Sequence, residues 1–161
     1  MKFNIRNFQD ADAKSVNRIA IDAFSQYKLH FSDWPAIMKT VGNMALLANN
    51  AELIVATVNE DIAGAVCYVA PGKEKNFFPI EWPIIRMLVV NPAYRNIGIG
   101  KALTEACVQK AILDNCSLIG LHTSHIMETA LRMYLRMGFK LEREAPAIYG
   151  VAYTIYIKEL L

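Results

Sequence analysis

The sequence predicts a single α/β domain in which helices cover both faces of a mixed sheet. Two β-rich runs, at residues 52–58 and 62–69, flank a short polar turn and are typical of a hairpin. A further apolar strand at 87–90 leads through a glycine-containing turn into an amphipathic helix. The 161 residues, 54% of them hydrophobic, suffice for one core that buries roughly 70% of the unfolded surface. We therefore expect one domain over residues 1–161.

The N-terminal part of the chain predicts a strand and two helices. Phe3 and Ile5 alternate with polar residues as in a strand, and Asp10 can cap the helix that follows. Ser32 or Asp33, just before a Trp-Pro pair, marks the start of the second helix, because proline is tolerated in the first helical turn. The apolar residues at helical spacing are Val16, Ile19, Ala20 and Ala23 in the first helix, then Ile37, Val41, Met44 and Leu47 in the second.

The remaining segments complete a three-layer pattern. Residues 71–83 show neither a helical nor a strand period and predict a loop before the fourth strand, with Phe77 and Phe78 exposed. Alternating β-branched and aromatic residues over 149–157 predict the closing strand. The order is strand, two helices, three strands, helix, strand, helix and two strands, which favours a mixed sheet between two helical layers.

The turn between the fourth strand and its helix has the composition of an anion-binding loop. Gly98 and Gly100 allow a tight turn and a close approach of backbone N–H groups to phosphate oxygens at a helix N-terminus. The spacing excludes the nucleoside triphosphate loop, which needs Gly-x-x-x-x-Gly-Lys-Ser/Thr. It also excludes the dinucleotide fingerprint, because Leu103 stands where that motif requires a third glycine.

What remains is Arg95-x-x-Gly98-x-Gly100 after a strand that ends in Val-Asn-Pro. This pattern resembles the pyrophosphate loop of the GNAT superfamily of N-acetyltransferases. In that family the bound anion belongs to coenzyme A. The resemblance therefore implies acetyl-CoA as the acetyl donor.

A second block downstream continues the same resemblance. It reads Ala130-x-x-x-Tyr134-x-x-x-Gly138-Phe139, and in the family this block is a helix that carries a tyrosine and ends at Gly-Phe. Both blocks stand in the family's order and at its usual separation. Together they imply the GNAT-type three-layer α-β-α fold, whose mostly antiparallel central sheet is splayed at strands 4 and 5.

The resemblance also implies how the chain would hold its donor. The backbone of residues 88–90 would hydrogen-bond the pantetheine arm, one amide of the fourth strand would face the thioester oxygen, and the amides of 96–101 would bind the pyrophosphate. Arg95 and Lys101 could neutralise phosphate charge. The implied cofactor-binding residues are Leu88, Val89, Val90, Arg95, Asn96, Ile97, Gly98, Ile99, Gly100 and Lys101.

Tyr134 occupies the position at which family members carry the general acid that returns a proton to the coenzyme A thiolate. A phenol with a pKa of about 10 suits a thiol leaving group. The alternative is a tyrosine that packs on the core face of its helix beside Leu131 and Leu135.

Two residues are candidates for the general base. His122 ends a short apolar strand, where some protein N-terminal acetyltransferases of this superfamily place a catalytic His or Glu. An imidazole with a pKa of about 6.5 can accept an amine proton directly or through water, although a strand-end histidine can equally be structural. Glu81, just before the fourth strand, is the rival because its carboxylate could point into the acceptor cleft.

One position departs from the family pattern. Many members carry an Asn three residues before the alanine of the second block, where its amide contacts the pantetheine arm, but this chain has Met127. We expect that contact to be missing, or to be supplied by Thr123 or Ser124.

Composition argues against several other classes of protein. Seventeen Lys and Arg against fifteen Asp and Glu leave a net charge of +2, and no basic cluster suggests a nucleic-acid or membrane surface. Cys67, Cys107 and Cys116 are odd in number and lack Cys-x-x-Cys spacing, so neither a disulfide framework nor a metal site is predicted. No apolar run is long enough for a signal peptide or a transmembrane helix. We expect a soluble, cytoplasmic protein.

The sequence thus predicts an N-acetyltransferase in which a primary amine attacks acetyl-CoA directly in a ternary complex. An acyl-CoA-binding sensor without turnover and a plain interaction module are the alternatives. The acceptor is left open between a small-molecule amine and a peptide N-terminus. Exposed aromatic residues would permit a homodimer.

Overall fold

The computed structural model describes residues 2–160, which form four α-helices and seven β-strands joined by turns and 3-10 segments. In chain order the elements are β1 (Asn4–Asn7), α1 (Ala13–Phe24), α2 (Trp34–Val41), β2 (Glu52–Val58), β3 (Asp61–Val69), β4 (Ile84–Val90), α3 (Ile99–Leu113), β5 (Leu118–Thr123), α4 (Glu128–Arg136), β6 (Lys140–Ile148) and β7 (Val151–Glu159).

All seven strands belong to one sheet, in the order β1-β2-β3-β4-β5-β7-β6. Neighbouring strands are antiparallel except β4 and β5, which run parallel and pair only between Ile84 and Gly120. A parallel pair needs a crossover connection, and α3 provides it. The predicted fold class is confirmed, including the splayed fourth and fifth strands.

Each face of the sheet has its own apolar core because side chains alternate along the strands. On β3, Cys67 packs into the core beneath α1 and α2, whereas its neighbours Val66 and Tyr68 pack beneath α3 and α4. All three side chains are fully buried. Helix, sheet and helix therefore form three layers, as predicted.

The two N-terminal helices begin and end at slightly different residues than the sequence predicts. Asp10 starts a 3-10 turn, and α1 begins after Asp12. Asp33, one of the two predicted caps, accepts a hydrogen bond from the Ala36 amide at 3.1 Å. α2 ends at Val41, and the helical spacing beyond it belongs to a 3-10 segment, Met44–Asn49.

Residues 71–83 wrap around a buried lysine, and the expectation of two exposed phenylalanines is wrong for Phe78. Phe78 is 5% exposed and Lys75 only 1%. The Nζ atom of Lys75 donates to the carbonyl oxygens of Lys73 at 2.6 Å and Ile80 at 2.9 Å. The sequence of this segment shows no helical or strand periodicity because its backbone forms neither element. The two carbonyl groups accept their hydrogen bonds from the Lys75 side chain instead.

Two-residue turns close the β2–β3 and β6–β7 hairpins. Asn59 and Glu60 have φ angles of 47° and 73°, and Tyr149 and Gly150 have φ angles of 40° and 82°. Turns with this left-handed backbone match the twist of antiparallel strands. Tyr149 and Gly150 therefore lie in the turn between β6 and β7, and the closing strand begins at Val151 rather than at residue 149 as predicted.

A buried ion pair fastens β1 to the start of α1. The carboxylate of Asp12 accepts hydrogen bonds from the two terminal nitrogens of Arg6 at 2.8 and 3.0 Å, and from the Gln9 amide at 2.8 Å. Asp12 is 8% exposed. The Arg6 hydrogen bond holds the pKa of Asp12 below its usual range.

We expect Asp12→Asn to destabilise the protein by about 1–3 kcal/mol at neutral pH, because it removes a charge-assisted pair. The folded-state pKa is depressed, so the unfolded chain binds the additional proton. The contribution of Asp12 is therefore complete above a pH of about 4 and is lost as pH falls through the folded-state pKa. Urea unfolding of both proteins at several pH values should show their stabilities converging in acid.

Asp22→Asn is the matched control. Asp22 is exposed and lies 3.5 Å from the Nε atom of Arg18 in a surface i,i+4 pair. Its removal should cost no more than about 0.5 kcal/mol. A difference between wild type and Asp12→Asn that stays constant down to acid pH would contradict the assignment.

Candidate active site

The candidate site is a cleft that opens where β4 and β5 part. Ile84 and Gly120 form the joint, and the Gly120 amide donates to the carbonyl of Pro83 at 3.0 Å. A Cβ atom at Gly120 would lie 3.1 Å from Cε3 of Trp82, so this ring covers the joint closely. Beyond the joint, the described strands form no further pair towards Val90 and Thr123.

β4 carries a bulge beside this opening. Arg86 pairs with Cys67 and Val89 pairs with Ala65, which leaves Met87 and the residue after it opposite a single residue of β3. Met87 has a φ of 54°, a conformation that a non-glycine residue rarely adopts. A bulge takes backbone groups out of the strand ladder, so those of Met87 are free to meet a ligand.

The first turn of α3 presents free backbone donors next to the cleft. Gly98 caps the helix with a φ of 93°, and a Cβ atom there would meet nothing within 4 Å. The backbone N–H groups of residues 98–101 donate no hydrogen bond to any residue that the structure describes. We call these four groups the N–H cradle. Such first-turn donors, together with the helix dipole, attract anions, and the arrangement fits a phosphate.

Two basic side chains flank the N–H cradle and remain exposed. Arg95 precedes it, and Lys101 lies in it with its Nζ atom 3.9 Å from a carboxylate oxygen of Glu105. A surface pair at that distance contributes little stability, so Lys101 is free to turn towards a bound anion. Asn96 has a φ of 65° and turns the chain towards the helix.

Gly64 of β3, which sequence reasoning missed, allows α3 to dock. A Cβ atom at Gly64 would lie 2.8 Å from Cγ2 of Ile99 and 3.1 Å from Cδ1 of Leu103. At Gly100, by contrast, the nearest atom would be Sδ of Met133 at 3.5 Å, an ordinary contact. Packing within the protein therefore requires the glycine at 64 but not the one at 100.

Tyr134 approaches the cleft from the α3 and α4 side. It is 5% exposed, and its ring packs edge-to-face on Phe139 with centroids 5.6 Å apart. Within the described chain its hydroxyl makes no hydrogen bond. Burial raises its pKa, and the nearby Cys107 and Tyr27 raise it further. Tyr134 thus belongs to the core on the α3 and α4 side of the sheet, whereas Tyr27 packs on the opposite core.

His122 lies on the opposite face, inside a group of aromatic rings. Its ring centroid is 5.1 Å from that of Phe77, 5.8 Å from Phe78 and 4.9 Å from Tyr153. Its Nδ1 atom is buried and has no hydrogen-bond partner in the described part of the chain. Burial, and then the charge of Arg86, lower the pKa of His122 to about 4.

Arg86 is a second functional candidate that sequence reasoning missed. It pairs with Cys67, whose side chain packs beneath α1 and α2, so Arg86 projects to the same face as His122. It is half-buried and forms no salt bridge or side-chain hydrogen bond with any described residue. The signal in the sequence was a single charge in the otherwise apolar strand β4.

Glu81 lies apart from these groups. It is exposed, and it precedes the joint between Ile84 and Gly120, whereas Arg86 and His122 lie beyond the joint. The structure therefore places Tyr134 and His122 on opposite faces of the sheet and leaves Glu81 before the joint.

The position that departs from the family pattern is occupied by an internal contact. Thr123 donates its hydroxyl hydrogen to the Met127 sulfur at 3.8 Å. The Ser124 hydroxyl accepts the Ile126 amide at 3.4 Å. The Ser124 hydroxyl hydrogen is thus the polar donor left at this end of β5.

Two of the three cysteines are unsuited to nucleophilic chemistry. Cys67 and Cys107 are fully buried, and burial raises the pKa of Cys67 to about 12 and that of Cys107 as well. Over residues 2–160 no three His, Cys, Asp or Glu side chains gather as a metal site would require. No helix in that range is long and apolar enough to cross a membrane.

With this geometry in place, comparison with known proteins identifies the family. The sequence model of the acetyltransferase (GNAT) family matches residues 14–139, and the chain therefore belongs to this family of acetyltransferases. The predicted family and enzyme class are confirmed. Among proteins of curated function, none matches the chain in sequence.

Solved structures share the fold over nearly the whole chain. A GNAT-family protein from Desulfovibrio desulfuricans is 23% identical with a TM-score of 0.72, covering 98% of this chain and 99% of that one. The PaiA N-acetyltransferase from Thermoplasma acidophilum, in complex with coenzyme A, is 16% identical with a TM-score of 0.80 and coverages of 99% and 100%. YncA from Salmonella typhimurium, with its cofactor acetyl-CoA, is 15% identical with a TM-score of 0.68 and coverages of 99% and 94%.

The N–H cradle makes a testable prediction about anion binding. Gly98→Asp would place a carboxylate against the free N–H groups of 98–101, where it can accept them as a helix cap does and repel an incoming phosphate. We expect the dissociation constant for coenzyme A, measured by calorimetry, to rise at least about tenfold, equivalent to about 1.4 kcal/mol.

Gly72→Asp is a matched control for this substitution. Gly72 has a φ of 87°, and a Cβ atom there would also meet nothing within 4 Å, so its backbone strain and open surroundings match those of Gly98. This variant should bind coenzyme A as wild type does. Equal affinities for both variants would show that the cradle is not the anion site.

Proposed function

We propose that this protein transfers the acetyl group of acetyl-CoA to the amine of an acceptor, in a ternary complex without a covalent enzyme intermediate. The observation that carries the proposal is the N–H cradle beside the cleft, whose donors have no acceptor within the described chain. The pyrophosphate of coenzyme A is an anion that such a cradle can bind. The structural neighbours solved with coenzyme A and acetyl-CoA support this choice.

In this proposal the donor is held mainly by backbone groups. The N–H cradle binds the pyrophosphate, Arg95 and Lys101 add positive charge, and the backbone of 88–90 pairs with the pantetheine arm along the open edge of β4. Bound acetyl-CoA supplies an activated thioester. The bulge at Met87 offers backbone groups near the thioester oxygen, where a donor would stabilise developing negative charge. The proposed cofactor-binding residues are Leu88, Val89, Val90, Arg95, Asn96, Ile97, Gly98, Ile99, Gly100 and Lys101.

Tyr134 is the proposed general acid. The amine nitrogen forms a bond to the acetyl carbon, the carbon–sulfur bond breaks, and the thiolate takes the phenolic proton, which solvent then restores. Burial raises the pKa of Tyr134, so the phenol keeps its proton at neutral pH but is a weaker acid than a solvent-exposed phenol. An unpartnered hydroxyl inside the protein is free to donate to an incoming sulfur.

For the general base we propose His122, with Glu81 as the rival. The Nδ1 atom of His122 is buried without a partner in the described residues, so the other ring nitrogen, Nε2, is the one that can accept the proton that the amine loses. A pKa of about 4 keeps the imidazole neutral at pH 7 but makes it a weak base. Glu81 is exposed and would reach the amine only through water.

The second candidate function is an acyl-CoA-binding sensor without turnover. The low pKa of His122 is the observation that favours it, since a weak base transfers protons poorly. Both functions need the N–H cradle. They differ in whether an amine releases free thiol from acetyl-CoA.

Three further parts of the proposal concern the protein as a whole. We propose one domain over residues 1–161, a cytoplasmic location and a homodimer as the form to test. The three unpaired cysteines support a reducing compartment. Sedimentation of the purified protein decides its oligomeric state.

Tyr134→Phe tests the general acid. We expect kcat to fall by roughly 10²-fold or more, with little change in the Kd for acetyl-CoA, because only the transferred proton is lost. Thiol release in the presence of an amine acceptor measures the first quantity, and calorimetry measures the second.

Tyr68→Phe is the matched control because it also deletes a buried hydroxyl. That hydroxyl donates to Asp114 at 2.8 Å, at the end of α3 that lies roughly 22 Å from the N–H cradle. The Tyr68→Phe variant should lose some stability but retain the kcat of wild type. If Tyr134→Phe retained wild-type kcat, its hydroxyl would be no more than a packing feature.

Separate alanine substitutions of His122 and Glu81 identify the base. Removal of the true base should lower kcat/KM by roughly 10²–10⁴-fold. The other substitution should leave kcat/KM nearly unchanged. Thermal stabilisation by acetyl-CoA verifies that each variant still folds and binds the donor. Rates within about threefold of wild type for both variants would exclude both assignments.

A further inference from the structure

The acceptor side of the cleft contains a positive charge without a counterion. Arg86 is half-buried, projects beneath α1 and α2, and makes no ion pair within the described chain. Burying an unpaired guanidinium is costly. The hydrophobic core on this face, which includes Cys67 opposite Arg86, offers no counterion among its described residues.

Register places Arg86 and His122 on the two sides of the opening, at equal distances along their strands from the joint. Ile84 pairs with Gly120 at the joint, and Arg86 and His122 each lie two residues further along their parallel strands. Both therefore project to the same face. The charge of Arg86 lowers the pKa of His122, which agrees with this proximity.

The other charged groups near Arg86 are already occupied or face solvent. Lys75, whose pKa Arg86 helps to lower, is bonded to two backbone carbonyls. Glu74 and Glu81 are exposed. A ligand that fits this face must therefore bring its own negative charge to Arg86.

We propose that the acceptor is a small amine that also carries a carboxylate, and that Arg86 binds this carboxylate. The inference rests on the proposed acetyl transfer and specifies its substrate class. A guanidinium offers two parallel N–H donors that match a carboxylate in a bidentate pair. In an α-amino acid the amine is separated from the carboxylate by one carbon, so an acid bound at Arg86 holds its nitrogen near His122 and the β4 bulge.

The rings around His122 select the remainder of the acceptor. Phe77 and Tyr153 lie within 5.1 Å of His122 between ring centroids, and Phe77 is only half-buried. These apolar surfaces suit an aliphatic or aromatic side chain. A peptide N-terminus lacks a carboxylate next to its amine and leaves Arg86 unpaired, as does a polyamine.

Carboxylate binding also improves the proposed base. The positive charge of Arg86 opposes protonation of His122, and an acceptor carboxylate offsets that charge when it binds. The acceptor thus raises the basicity of the imidazole that deprotonates it. Arg86 acts as a specificity-determining residue and does not take part in the proton transfer.

Three amines of closely matched shape test the proposal: phenylalanine, phenylalaninamide and phenethylamine, with leucine, leucinamide and isopentylamine as a second series. Thiol release from acetyl-CoA gives kcat/KM, which is divided by the fraction of neutral amine at each pH. We expect the carboxylate form to exceed its amide by about 10- to 100-fold in at least one series. Arg86→Gln should abolish this preference, and Arg86→Lys should retain part of it.

Arg18→Gln, at an exposed position on α1, is the matched control and should keep the full preference. Acetyl-CoA must stabilise the Arg86 variants against heat as it does wild type, which separates loss of acceptor recognition from loss of folding or donor binding. A wild type that shows no preference for carboxylate in either series, or that acetylates only other amines, overturns the proposal. A preference that survives Arg86→Gln overturns the role of Arg86. Absence of acetyl-CoA binding would instead overturn the proposed function itself.

Discussion

The candidate site depends on β4 and β5 being joined at one residue pair. Parallel strands ordinarily pair along their length, and such a ladder here would satisfy the edges of β4 and β5 internally. Gly120 lets the strands meet beneath Trp82, and beyond Ile84 they part. The backbone groups released by this separation, and by the bulge at Met87, are what a donor molecule can bind. Without the separation of β4 and β5, the N–H cradle would border a closed sheet.

The two helical layers give the cleft walls of different chemistry. On one side α3 approaches β3 closely because Gly64 has no side chain, and this brings the first turn of the helix to the opening. That wall offers backbone donors, with the phenol of Tyr134 behind them. The other wall consists of side chains, chiefly Arg86 and His122 among aromatic rings. In the proposed function, donor recognition would therefore depend on backbone geometry, whereas acceptor recognition would depend on the identity of individual residues.

This division explains what the sequence could predict. The strands, the helices and the glycine turn at Gly98 are patterns of neighbouring residues, so periodicity and spacing were sufficient to find them. Arg86, Lys75 and Phe78 acquire their surroundings only through tertiary contacts. The sequence predicts only a loop around Lys75, and the lysine is buried because residues 71–83 fold around it. Arg86 is significant because strand register sets it on the same face of the sheet as His122. Sequence spacing carries no information about such pairs across the sheet.

Arg86 and His122 each break a rule of stable packing, and they do so at the same place. One is a half-buried charge without a partner, and the other is an imidazole whose Nδ1 atom is buried without a hydrogen bond. Each arrangement opposes folding, and departures of this kind are expected where a protein gives up stability for function. A single ligand anion would pair with the guanidinium of Arg86. The free energy of that pairing would contribute to binding and orienting the acceptor.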